Sequence, residues 1–517
     1  MTMKRFLPLL LTFFTLSAFG QNEPPTLSNV QVDIAANTLT LTYDMTGAGG
    51  GPITVAFRAA EKGSISLAYN TANATGDIGP GLSAGAGKQI TWDFSAYPAA
   101  DFRLQLVASD GQPVDIQALV DQVDSARLKA DLSFIEGVRH RNGNPIHLQE
   151  ARDFIQNHFV EHHLETHLQE FDYSGYAAAN IIGRQIGTES EDSVFILDGH
   201  FDTVNGAPGA DDNGSAVAGF MEALRILAPY GLKKSIKYIG FDLEEAGPGL
   251  VGSKRYVDEM LVPEETTAGV LNFEMIGYYT EVPNTQVMPA GFNLLFPNVY
   301  QALIADEFRG NFITDVSYNN SEPLANAFLG AAAQYVPGLK VVKIHTTTLL
   351  PDLLRSDHAW FWYSAIPALM ITDGAEFRNP YYHSPQDKSE FLNFTFMRQV
   401  VQATVATLAV QAGIQHATTW WTDTNFFTPV AEVPPCEVSL SPNPSGDFIR
   451  ISWSGCTNSE LEYELLGLQG QTVTGKTVIN PGTPEAVLKV GELPQGVYFL
   501  RVNSAEKQWV RKVAVSH

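Results

Sequence analysis

The sequence predicts an α/β fold, in which a mostly parallel mixed sheet carries helices on both faces and is flanked by two small all-β sandwich domains. Apolar strand-like runs alternate with helical periodicity through the middle of the chain, and short alternating strands separated by turns fill both ends. Residues 194–227 show the central pattern most clearly, because they pass from an apolar run through a polar loop into a helix. At 517 residues, the chain is also too long for one core.

The first 20 residues have the pattern of a secretory signal peptide. A basic pair, Lys4 and Arg5, precedes an apolar core, and the small-residue pattern at 18–20 marks a cleavage site before Gln21. The apolar run is shorter than the roughly 20 residues that cross a bilayer. We therefore expect an exported protein whose mature form has no transmembrane segment.

Residues 21–114 predict a β-sandwich of the immunoglobulin or fibronectin type. Short alternating strands, from TLSNVQVDIA to FRLQLVAS, are separated by turns that contain Gly, Asn and Pro. The Gly-rich run at 47–51 precedes another strand and lacks the helix that would hold a phosphate, so we interpret it as a hairpin loop.

Residues 115–415 alternate between strands and helices, which predicts the central α/β domain. The predicted strands are AANIIGRQIG, SVFILDGH, SIKYIGFDLE, TAGVLNFEMIG and IPALMITDG. The predicted helices include SAVAGFMEALRIL, SKRYVDEML, PNVYQALIADEF, SDHAWFWYSA and FTFMRQVVQATVATLAVQAG.

Residues 416–435 contain several Thr and Pro residues, and we interpret them as a linker. Residues 436–517 are β-patterned again, with a SPNPSGD opening, an LPQGVYFLRV strand and a basic last strand. This order resembles the C-terminal sorting domain used for type IX secretion in Bacteroidetes. The resemblance implies that the type IX secretion machinery is a partner and that the protein is secreted or held at the cell surface. The two cysteines of the chain, Cys436 and Cys456, lie in this part and could pair in an exported protein.

The composition is that of an ordinary globular protein, with 44% hydrophobic and 17% charged residues. Its formal net charge of −24 argues against nucleic acid and anionic membrane surfaces as partners, because both require basic patches.

Imidazole and carboxylate groups follow the strands of the central domain where each strand ends. They are His200 with Asp202, the pair Asp211-Asp212, the pair Glu244-Glu245, Glu274 and His383. Ligands of open α/β sheets gather outside the carboxyl ends of the strands, so we expect these groups to meet at one edge. Acidic groups so close together raise one another's pKa unless cations neutralise them, which favours a divalent metal site.

The residue types suit a hydrolytic site with two metal ions. Mixed imidazole and carboxylate ligands match zinc, and a pair of ions requires one bridging carboxylate, with a His and a carboxylate on each side. Glu244 and Glu245 stand where their strand has ended, so one can bind metal while the other takes a proton from water.

Six motifs at these positions resemble the zinc aminopeptidases of the bacterial leucyl aminopeptidase and glutamate carboxypeptidase-like type, over most of residues 116–415. The motifs are GHFDTV, APGADDNGSAVAGF, FDLEEAGPGLVGS, NFEMIGYY, SDHAWFW and YYHSPQDK. The resemblance implies a zinc exopeptidase-like fold, two Zn²⁺ ions and hydrolysis of peptide substrates near a free N-terminus. The metal ligands that it implies are His200, Asp211, Glu245, Glu274 and His383, with Asp211 as the bridge. It also implies that Glu244 is the general base and acid, and that Asp202 holds the ring of His200.

Glu274 departs from the family pattern, since many members carry an Asp at this position. Its longer side chain requires a backbone set further back, and a single-zinc site would result if Glu274 did not reach the metal. Asp357 and His358, in the SDHAWFW motif, would contact the substrate or stand behind the ligands. We expect the specificity pocket to be built from loops within residues 278–356.

The sequence leaves three alternatives open. A carboxypeptidase or dipeptidase would use the same metal site, with Arg355 or Arg378 to clamp a C-terminal carboxylate. A glutaminyl cyclase shares the fold but uses a single zinc without the bridging carboxylate. A non-catalytic exported binding or adhesion protein would hold a structural metal, although a structural site has closed coordination and needs no free carboxylate such as Glu244.

Overall fold

The computed structural model describes residues 23–47, 51–97, 101–246, 249–424, 437–454, 461–467, 471–479, 485–503 and 508–517. The predicted signal peptide and the two cysteines, Cys436 and Cys456, lie outside the described residues. The chain divides into two compact units, with the boundary after Thr424. Within the ranges given, no helix is both long and apolar enough to cross a membrane.

The elements of the first unit follow the predicted order of a β-domain and then an α/β domain. Its strands are β1 (Thr26–Ala35), β2 (Thr38–Thr46), β3 (Ile53–Glu61), β4 (Thr75–Gly76), β5 (Gly79–Leu82), β6 (Gly85–Asp93), β7 (Phe102–Ser109), β8 (Glu165–Tyr173), β9 (Tyr176–Gln185), β10 (Ser190–His200), β11 (Gly231–Leu232), β12 (Lys234–Phe241), β13 (Thr266–Glu274), β14 (Ile313–Tyr318), β15 (Val341–Thr346), β16 (Ala368–Thr372), β17 (Ile414–Gln415) and β18 (Ala417–Asp423). Its helices are α1 (Ile116–Val120), α2 (Ser125–Ile135), α3 (Pro145–Glu161), α4 (Ala216–Leu227), α5 (Val251–Glu259), α6 (Phe292–Leu295), α7 (Pro297–Ala305), α8 (Glu322–Tyr335), α9 (His358–Tyr363) and α10 (Phe394–Ala412).

The N-terminal strands build two four-stranded antiparallel sheets, in the orders β1-β2-β6-β4 and β18-β7-β3-β5. Buried residues alternate with more exposed ones along β2 and β3, as expected for strands with one face in a core. The ring of Trp92 on β6 lies 5.6 Å from that of Phe57 on β3 and 5.5 Å from that of Phe102 on β7. These aromatic contacts join the two sheets into one core.

The predicted linker at 416–435 begins too early in the chain. Residues 417–423 form β18, which pairs antiparallel with β7 from Ala417 opposite Ser109 to Asp423 opposite Arg103. The alternating Thr and Trp residues of this stretch suit a strand, and the open edge of β7 supplies its hydrogen-bond partners. The β-strand therefore replaces the first part of the linker, while residues 425–436 lie outside the described part of the chain.

The central domain is organised around an eight-stranded mixed sheet in the order β15-β14-β16-β13-β10-β12-β9-β8. The centre of the sheet is parallel: β10 pairs with β12 and β13, and β13 pairs with β16. Antiparallel pairs join β9 to β12, β8 to β9 and β14 to β16. The predicted mostly parallel mixed sheet is confirmed, and its parallel centre brings several strand ends to one edge.

Helices cover both faces of this sheet, as predicted. Phe195 and Leu197 of β10 belong to a core that includes residues of α2, α4, α8 and α10. Val194 and Ile196 of the same strand face a second core, which contains Tyr256 of α5 and residues of α9. Because successive side chains of a strand point to opposite faces, a continuous apolar run marks a strand that is buried on both sides.

The predicted strands correspond to β9, β10, β12, β13 and β16, and the helices to α4, α5, α7, α9 and α10, which confirms them with small shifts at their ends. The structure adds β8, β14, β15 and α8, which the sequence interpretation missed. These elements lie towards the two edges of the central sheet or pack beside an edge strand, where the hydrophobic pattern is weaker than in the centre.

The second unit is all-β. Its strands are β19 (Glu437–Ser441), β20 (Phe448–Ser454), β21 (Leu461–Leu466), β22 (Thr472–Ile479), β23 (Glu485–Lys489), β24 (Gly496–Asn503) and β25 (Gln508–Val515). They form two antiparallel sheets in the orders β19-β20-β23 and β22-β21-β24-β25. Alternate residues such as Ile449, Ile451, Leu500 and Val502 are buried in one core, as the β-pattern predicts.

Candidate metal centre and active site

The carboxyl ends of β10 and β13 bring His200 and Glu274 together. The register places Asp198 opposite Asn272, so His200 and Glu274, two residues further along each strand, reach the same edge of the sheet. The Nε2 atom of His200 lies 3.6 Å from Oε2 of Glu274. The Nδ1–H of His200 donates to the backbone carbonyl of Asp202 at 3.2 Å, which leaves Nε2 free to bind a cation.

A tight turn, Ala210–Ser215, follows β10 and places the carboxylate of Asp212 between two histidines. Oδ1 of Asp212 lies 3.4 Å from Nε2 of His200, and Oδ2 lies 3.1 Å from Nε2 of His383. Asp212 is buried, and its Oδ1 atom has no hydrogen-bond partner among the described residues. One carboxylate therefore faces both imidazoles.

Asp211 does not reach the histidines, so its prediction as the bridging residue is wrong. Its Oδ1 accepts the backbone N–H of Gly277 at 2.9 Å, and its Oδ2 accepts a bond from the side-chain amide of Asn379 at 2.7 Å. The backbone of Asp212 is extended, with φ −99° and ψ 92°, and neighbouring side chains on extended backbone point to opposite sides. The loop is the predicted one, but the residue that it places between the two histidines is Asp212.

The loop after β12 carries the two adjacent glutamates. Oε1 of Glu245 lies 2.8 Å from Nε2 of His383. Glu244 shares a cluster with His200 and Glu245, in which one ligand atom from each residue lies within 4.8 Å of the others. The structure therefore brings Glu245 to His383 and leaves Glu244 beside His200 and Glu245.

Asp202 accepts hydrogen bonds from the backbone of the glutamate pair and also lies beside the imidazole of His200. Its Oδ1 accepts the N–H of Glu244 at 3.0 Å, and its Oδ2 accepts the N–H of Glu245 at 3.1 Å. The same Oδ1 atom lies 3.4 Å from Nδ1 of His200. Asp202 thus links the histidine at the end of β10 to the loop that follows β12.

Glu274 is brought to the site despite its extra methylene. The hydroxyl of Ser356 donates to Oε2 of Glu274 at 2.7 Å, and the side-chain amide of Asn213 donates to it at 3.4 Å. The same amide of Asn213 donates to the carbonyl of Phe273 at 3.0 Å, which ties the turn to β13. These partners orient the longer carboxylate towards His200.

Three groups of three side chains could each hold a cation, and one of them is His200, Glu244 and Glu245. The other two share Asp212: the first is His200, Asp212 and Glu274, and the second is Asp212, Glu245 and His383. Ligand atoms around a tetrahedral zinc ion are roughly 3.4 Å apart when each is 2.0–2.1 Å from the metal. The separations of 3.4 Å from Asp212 to His200 and 3.1 Å from Asp212 to His383 fit this value. The donor types and spacing of the site therefore fit a pair of zinc ions.

The acids and imidazoles of the site perturb one another strongly. Burial, followed by the charge of Asp212, raises the pKa of Glu245 to about 7. Burial also raises the pKa of Glu244 well above its usual value, and Glu245 adds to this rise against the charge of His200. Burial opposes the charged form of His383, but hydrogen bonds with Asp212 and Glu245 raise its pKa to about 10. The site holds protons that bound cations would displace.

The SDHAWFW motif places two buried side chains, those of Asp357 and His358, behind the site. His358 is fully buried, with one ring nitrogen 3.2 Å from Oδ1 of Asn272 and the other donating to the carbonyl of Leu353 at 2.9 Å. Burial lowers the pKa of His358 to about 4, so this ring is neutral. Asp357 is also fully buried, and burial raises its pKa to about 7. His358 is thus held within the protein by Asn272 and Leu353.

A cavity whose lining includes Glu274 opens beside the site. Its apolar lining includes Met288, Phe292, Val316, Ile344, Leu353, Met370 and Phe377. Part of the lining lies within residues 278–356, in loops and on β14 and β15, and part lies on β16 and between β16 and His383. The cavity has the mainly apolar lining of a small-ligand pocket.

Both arginines that could bind a substrate carboxylate already have partners within the protein. Arg355 lines the cavity, forms an ion pair with Glu376 and donates to the hydroxyl of Tyr382 at 3.1 Å. Arg378 is buried, donating to Gln286 at 2.7 Å and to the carbonyl of Phe312 at 2.6 Å. Arg378 therefore has a structural role, and the positive charge of Arg355 is already balanced.

The sequence interpretation missed Asp212, Ser356 and Asp387 as residues of the site. Two of these could have been found from the sequence. Asp212 is adjacent to Asp211, and Asp387 lies four positions after His383 in the YYHSPQDK motif. Ser356 opens the SDHAWFW motif, but a serine alone gives no indication that it supports a carboxylate.

Comparisons with known proteins agree with this site. Residues 180–408 match the model of peptidase family M28, and residues 439–516 match the model of the secretion system C-terminal sorting domain. The first match contains both histidines and every carboxylate of the two ligand groups. The second indicates secretion or a location at the cell surface.

Individual relatives cover parts of the chain. The uncharacterized protein YfbL of Escherichia coli is 29% identical over 273 residues, which are 50% of this chain and 80% of YfbL. Aminopeptidase YwaD of Bacillus subtilis is 34% identical over 108 residues, which are 20% of this chain and 23% of YwaD. The crystal structure of the LapA aminopeptidase of Legionella pneumophila aligns with a TM-score of 0.44 and 22% identity, over 57% of this chain and 74% of LapA. Over residues 180–408 the chain is thus similar to the zinc metallopeptidases of family M28, and over residues 439–516 it is similar to the C-terminal sorting domains of type IX secretion.

Proposed function

We propose that this protein is an exported exopeptidase with two zinc ions, which removes N-terminal residues from peptides. The observation that carries the proposal is the position of Asp212, whose two carboxylate oxygens face His200 and His383 separately. Each side has one further carboxylate, Glu274 or Glu245. In this proposal both ions would be held by Asp212, one together with His200 and Glu274 and the other together with Glu245 and His383.

Zinc held by these residues supplies a Lewis acid that polarises the scissile carbonyl and makes water acidic enough to react near neutral pH. Glu244 takes the proton from the attacking water on its carboxylate and returns it to the nitrogen of the leaving amine. Burial raises the pKa of Glu244 and so favours its role as a proton carrier. The N–H bond to Asp202 keeps the backbone of Glu244 in place during these steps.

The charges around the cavity support cleavage from the amino end. A carboxypeptidase needs a basic group that is free to bind the C-terminal carboxylate of its substrate. Among the described residues that line the cavity, Arg355 is the basic one, and Glu376 already neutralises it. A substrate carboxylate would have to compete with Glu376 for the guanidinium.

The lining of the cavity supports a preference for large apolar side chains. Each methylene buried against apolar residues contributes roughly 0.8 kcal/mol, or about fourfold in binding. We therefore expect anilides of leucine, methionine or phenylalanine to be cleaved faster than those of aspartate or glutamate. Arg355 and Glu376 neutralise each other, whereas Asp352 and Glu274 leave the lining negative, which would further disfavour aspartate and glutamate.

A test of the catalytic assignment replaces Glu244 with Gln. The variant should keep two zinc ions per chain, because Glu244 is not a ligand, and lose at least about a hundredfold in kcat on an aminoacyl anilide. The same change at Glu161, an exposed residue at the end of α3, serves as the control and should leave kcat unchanged. Full activity in the Glu244→Gln variant would contradict the assignment.

The alternatives give different results in the same assay. A glutaminyl cyclase would bind one zinc and release ammonia from peptides with N-terminal glutamine. A carboxypeptidase would cleave N-acetylated peptides but not aminoacyl anilides. A binding or adhesion protein would hold zinc without turning over any peptide. Two equivalents of zinc, with cleavage only of substrates that have a free N-terminus, would separate our proposal from all three.

We also propose the boundaries of the parts of the chain. Residues 1–20 would be the signal peptide, 21–114 the β-sandwich, 115–415 the peptidase domain and 436–517 the sorting domain. Sequencing the N-terminus of the exported protein should give Gln21 as the first residue. A different first residue would move the cleavage site.

A further inference from the structure

Each of the two acidic pairs of the site is fixed by one buried carboxylate that accepts two consecutive backbone N–H groups. Asp202 does this for the glutamate pair, as described above. Asp387 does it for the aspartate pair: its Oδ1 accepts the N–H of Asp211 at 2.9 Å, and its Oδ2 accepts the N–H of Asp212 at 3.0 Å. Two separate loops therefore use the same arrangement.

Asp387 joins the two segments that face each other across the site. It lies four residues after His383, and its own N–H donates to the carbonyl of Ser384 at 3.1 Å. Its backbone carbonyl accepts the N–H of Ala210 at 3.2 Å. Three consecutive N–H groups of the turn, from Ala210 to Asp212, thus end on this one residue.

The other end of the turn is held independently by Arg139, which is fully buried. Its guanidinium donates to the carbonyl of Pro208 at 3.0 Å and to that of Gly209 at 2.9 Å. With residues 208–209 fixed in this way, the bonds to Asp387 determine where Asp212 points. Asp387 is 1% exposed, so water cannot readily replace a lost bond.

We propose that Asp387 is a positioning residue, which sets the distance between the carboxylate of Asp212 and the imidazole of His383. Through this distance it determines how tightly the group formed by Asp212, Glu245 and His383 binds zinc. The inference rests on the proposed function, because it requires that this group is a metal site. Asp387 itself contacts neither a ligand atom nor the substrate, and it acts only through the backbone.

The expected size of the effect follows from residues that orient metal ligands in other proteins, whose loss weakens metal binding by roughly 10- to 100-fold. Asparagine at this position keeps one acceptor oxygen and turns an NH₂ group towards the second backbone N–H. We expect Asp387→Asn to weaken zinc binding at the second group about 10-fold, and Asp387→Ala, which loses both acceptors, to weaken it up to about 100-fold.

The experiment measures zinc per chain, the zinc dissociation constants by competition with a chelator, and the melting temperature with and without zinc. Glu191→Gln is the matched control, because Glu191 is a buried carboxylate that accepts the backbone N–H of Leu67 at 2.6 Å and lies at the opposite end of β10 from His200. The control should melt at a lower temperature but bind zinc as the wild type does.

A purely structural role for Asp387 would lower the melting temperature of the zinc-free protein without changing zinc affinity, and this result would overturn the inference. If Asp387→Ala fails to fold, the Asp387→Asn variant decides the question alone. Wild-type protein with two zinc ions and an Asp387→Asn variant of equal affinity would overturn the inference while leaving the proposed function intact. Wild-type protein without zinc would overturn both.

Discussion

The two ligand groups differ in their access to solvent, although they share Asp212. In the first group the side chain of His200 is 1% exposed and that of Glu274 is 10% exposed. In the second group the side chain of His383 is 34% exposed and that of Glu245 is 11% exposed. The histidines come from different environments as well, since His200 ends a central strand and His383 lies in a loop beyond β16.

This difference predicts that the two groups differ in zinc affinity and in the rate at which they exchange the ion. Ligands that are buried and fixed by neighbours lose little freedom on binding a cation, and they hold it in a medium of low dielectric constant. Ligands at the mouth of the site exchange more easily with water and solutes. We therefore expect the first group to bind zinc more tightly and the second to exchange its ion first.

The largest expected effect comes from the residue that both groups share. Replacing Asp212 with Asn removes the negative charge that would bridge the ions, so we expect loss of both zinc ions and a fall in kcat/KM of about a thousandfold, or roughly 4 kcal/mol. Asp211→Asn is the matched control, because Asp211 faces Gly277 and Asn379 instead of the histidines. Metal analysis and anilide hydrolysis would test this, and equal losses in the two variants would contradict the assignment of the bridge.

The next largest effect separates the two histidines. His383→Ala should keep one zinc ion per chain, because the first group stays complete. His200→Ala should lose more of the metal-dependent stability, since it leaves the buried acids Asp212 and Glu274 without their imidazole. Zinc analysis and thermal unfolding of both variants would check this order. A reversed order would mean that exposure does not determine which ion is held more tightly.

Gradual removal of zinc from the unmodified protein should occur in two steps. A weak chelator should remove one ion first and leave the other until its concentration is raised. Metal analysis of the protein at each chelator concentration would follow the two steps. Simultaneous loss of both ions would show that the two groups act as one.

The smallest effect concerns the support of the buried group. Ser356→Ala removes the 2.7 Å hydrogen bond to Glu274, which should cost about 1 kcal/mol and weaken zinc binding at the first group about fivefold. The second group should be unaffected. Ser364→Ala, a change at an exposed serine after α9, is the control for the substitution itself. An unchanged affinity in the Ser356 variant would mean that Asn213 alone orients Glu274.

The sequence predicted the central sheet and most of the ligands because both depend on patterns that are local in the chain. An apolar run such as SVFILDGH identifies a strand buried on both faces, and the first polar residue after it marks the strand end. Since parallel strands end at one edge, His200 and Glu274 could be placed together without coordinates. The same reasoning located the glutamate pair after β12.

The choice between Asp211 and Asp212 could not be made from the sequence. Both residues are buried and acidic, and the partners that turn Asp211 away lie far along the chain, at Gly277 and Asn379. The supporting role of Asp387 depends on similar long-range contacts with the backbone. Strand β18 was missed for the same reason, because a short Thr- and Trp-containing stretch becomes a strand only when β7 offers it an edge.

The pairing of β18 with β7 also shows how the two domains of the first unit are connected. These two strands are antiparallel neighbours, and the entire peptidase domain lies between them in the chain, so the enzyme is inserted into a β-hairpin of the N-terminal sandwich. Arg103 on β7 reinforces the base of this insertion by pairing with Asp423 on β18 at 2.9 Å and with Glu165 of the inserted domain at 2.6 Å. A protein shortened to begin at residue 115 would keep β18 but lose every other strand of its sheet, leaving Trp420 and Trp421 on an unpaired strand that invites aggregation. The sandwich is therefore part of the folding unit of the enzyme.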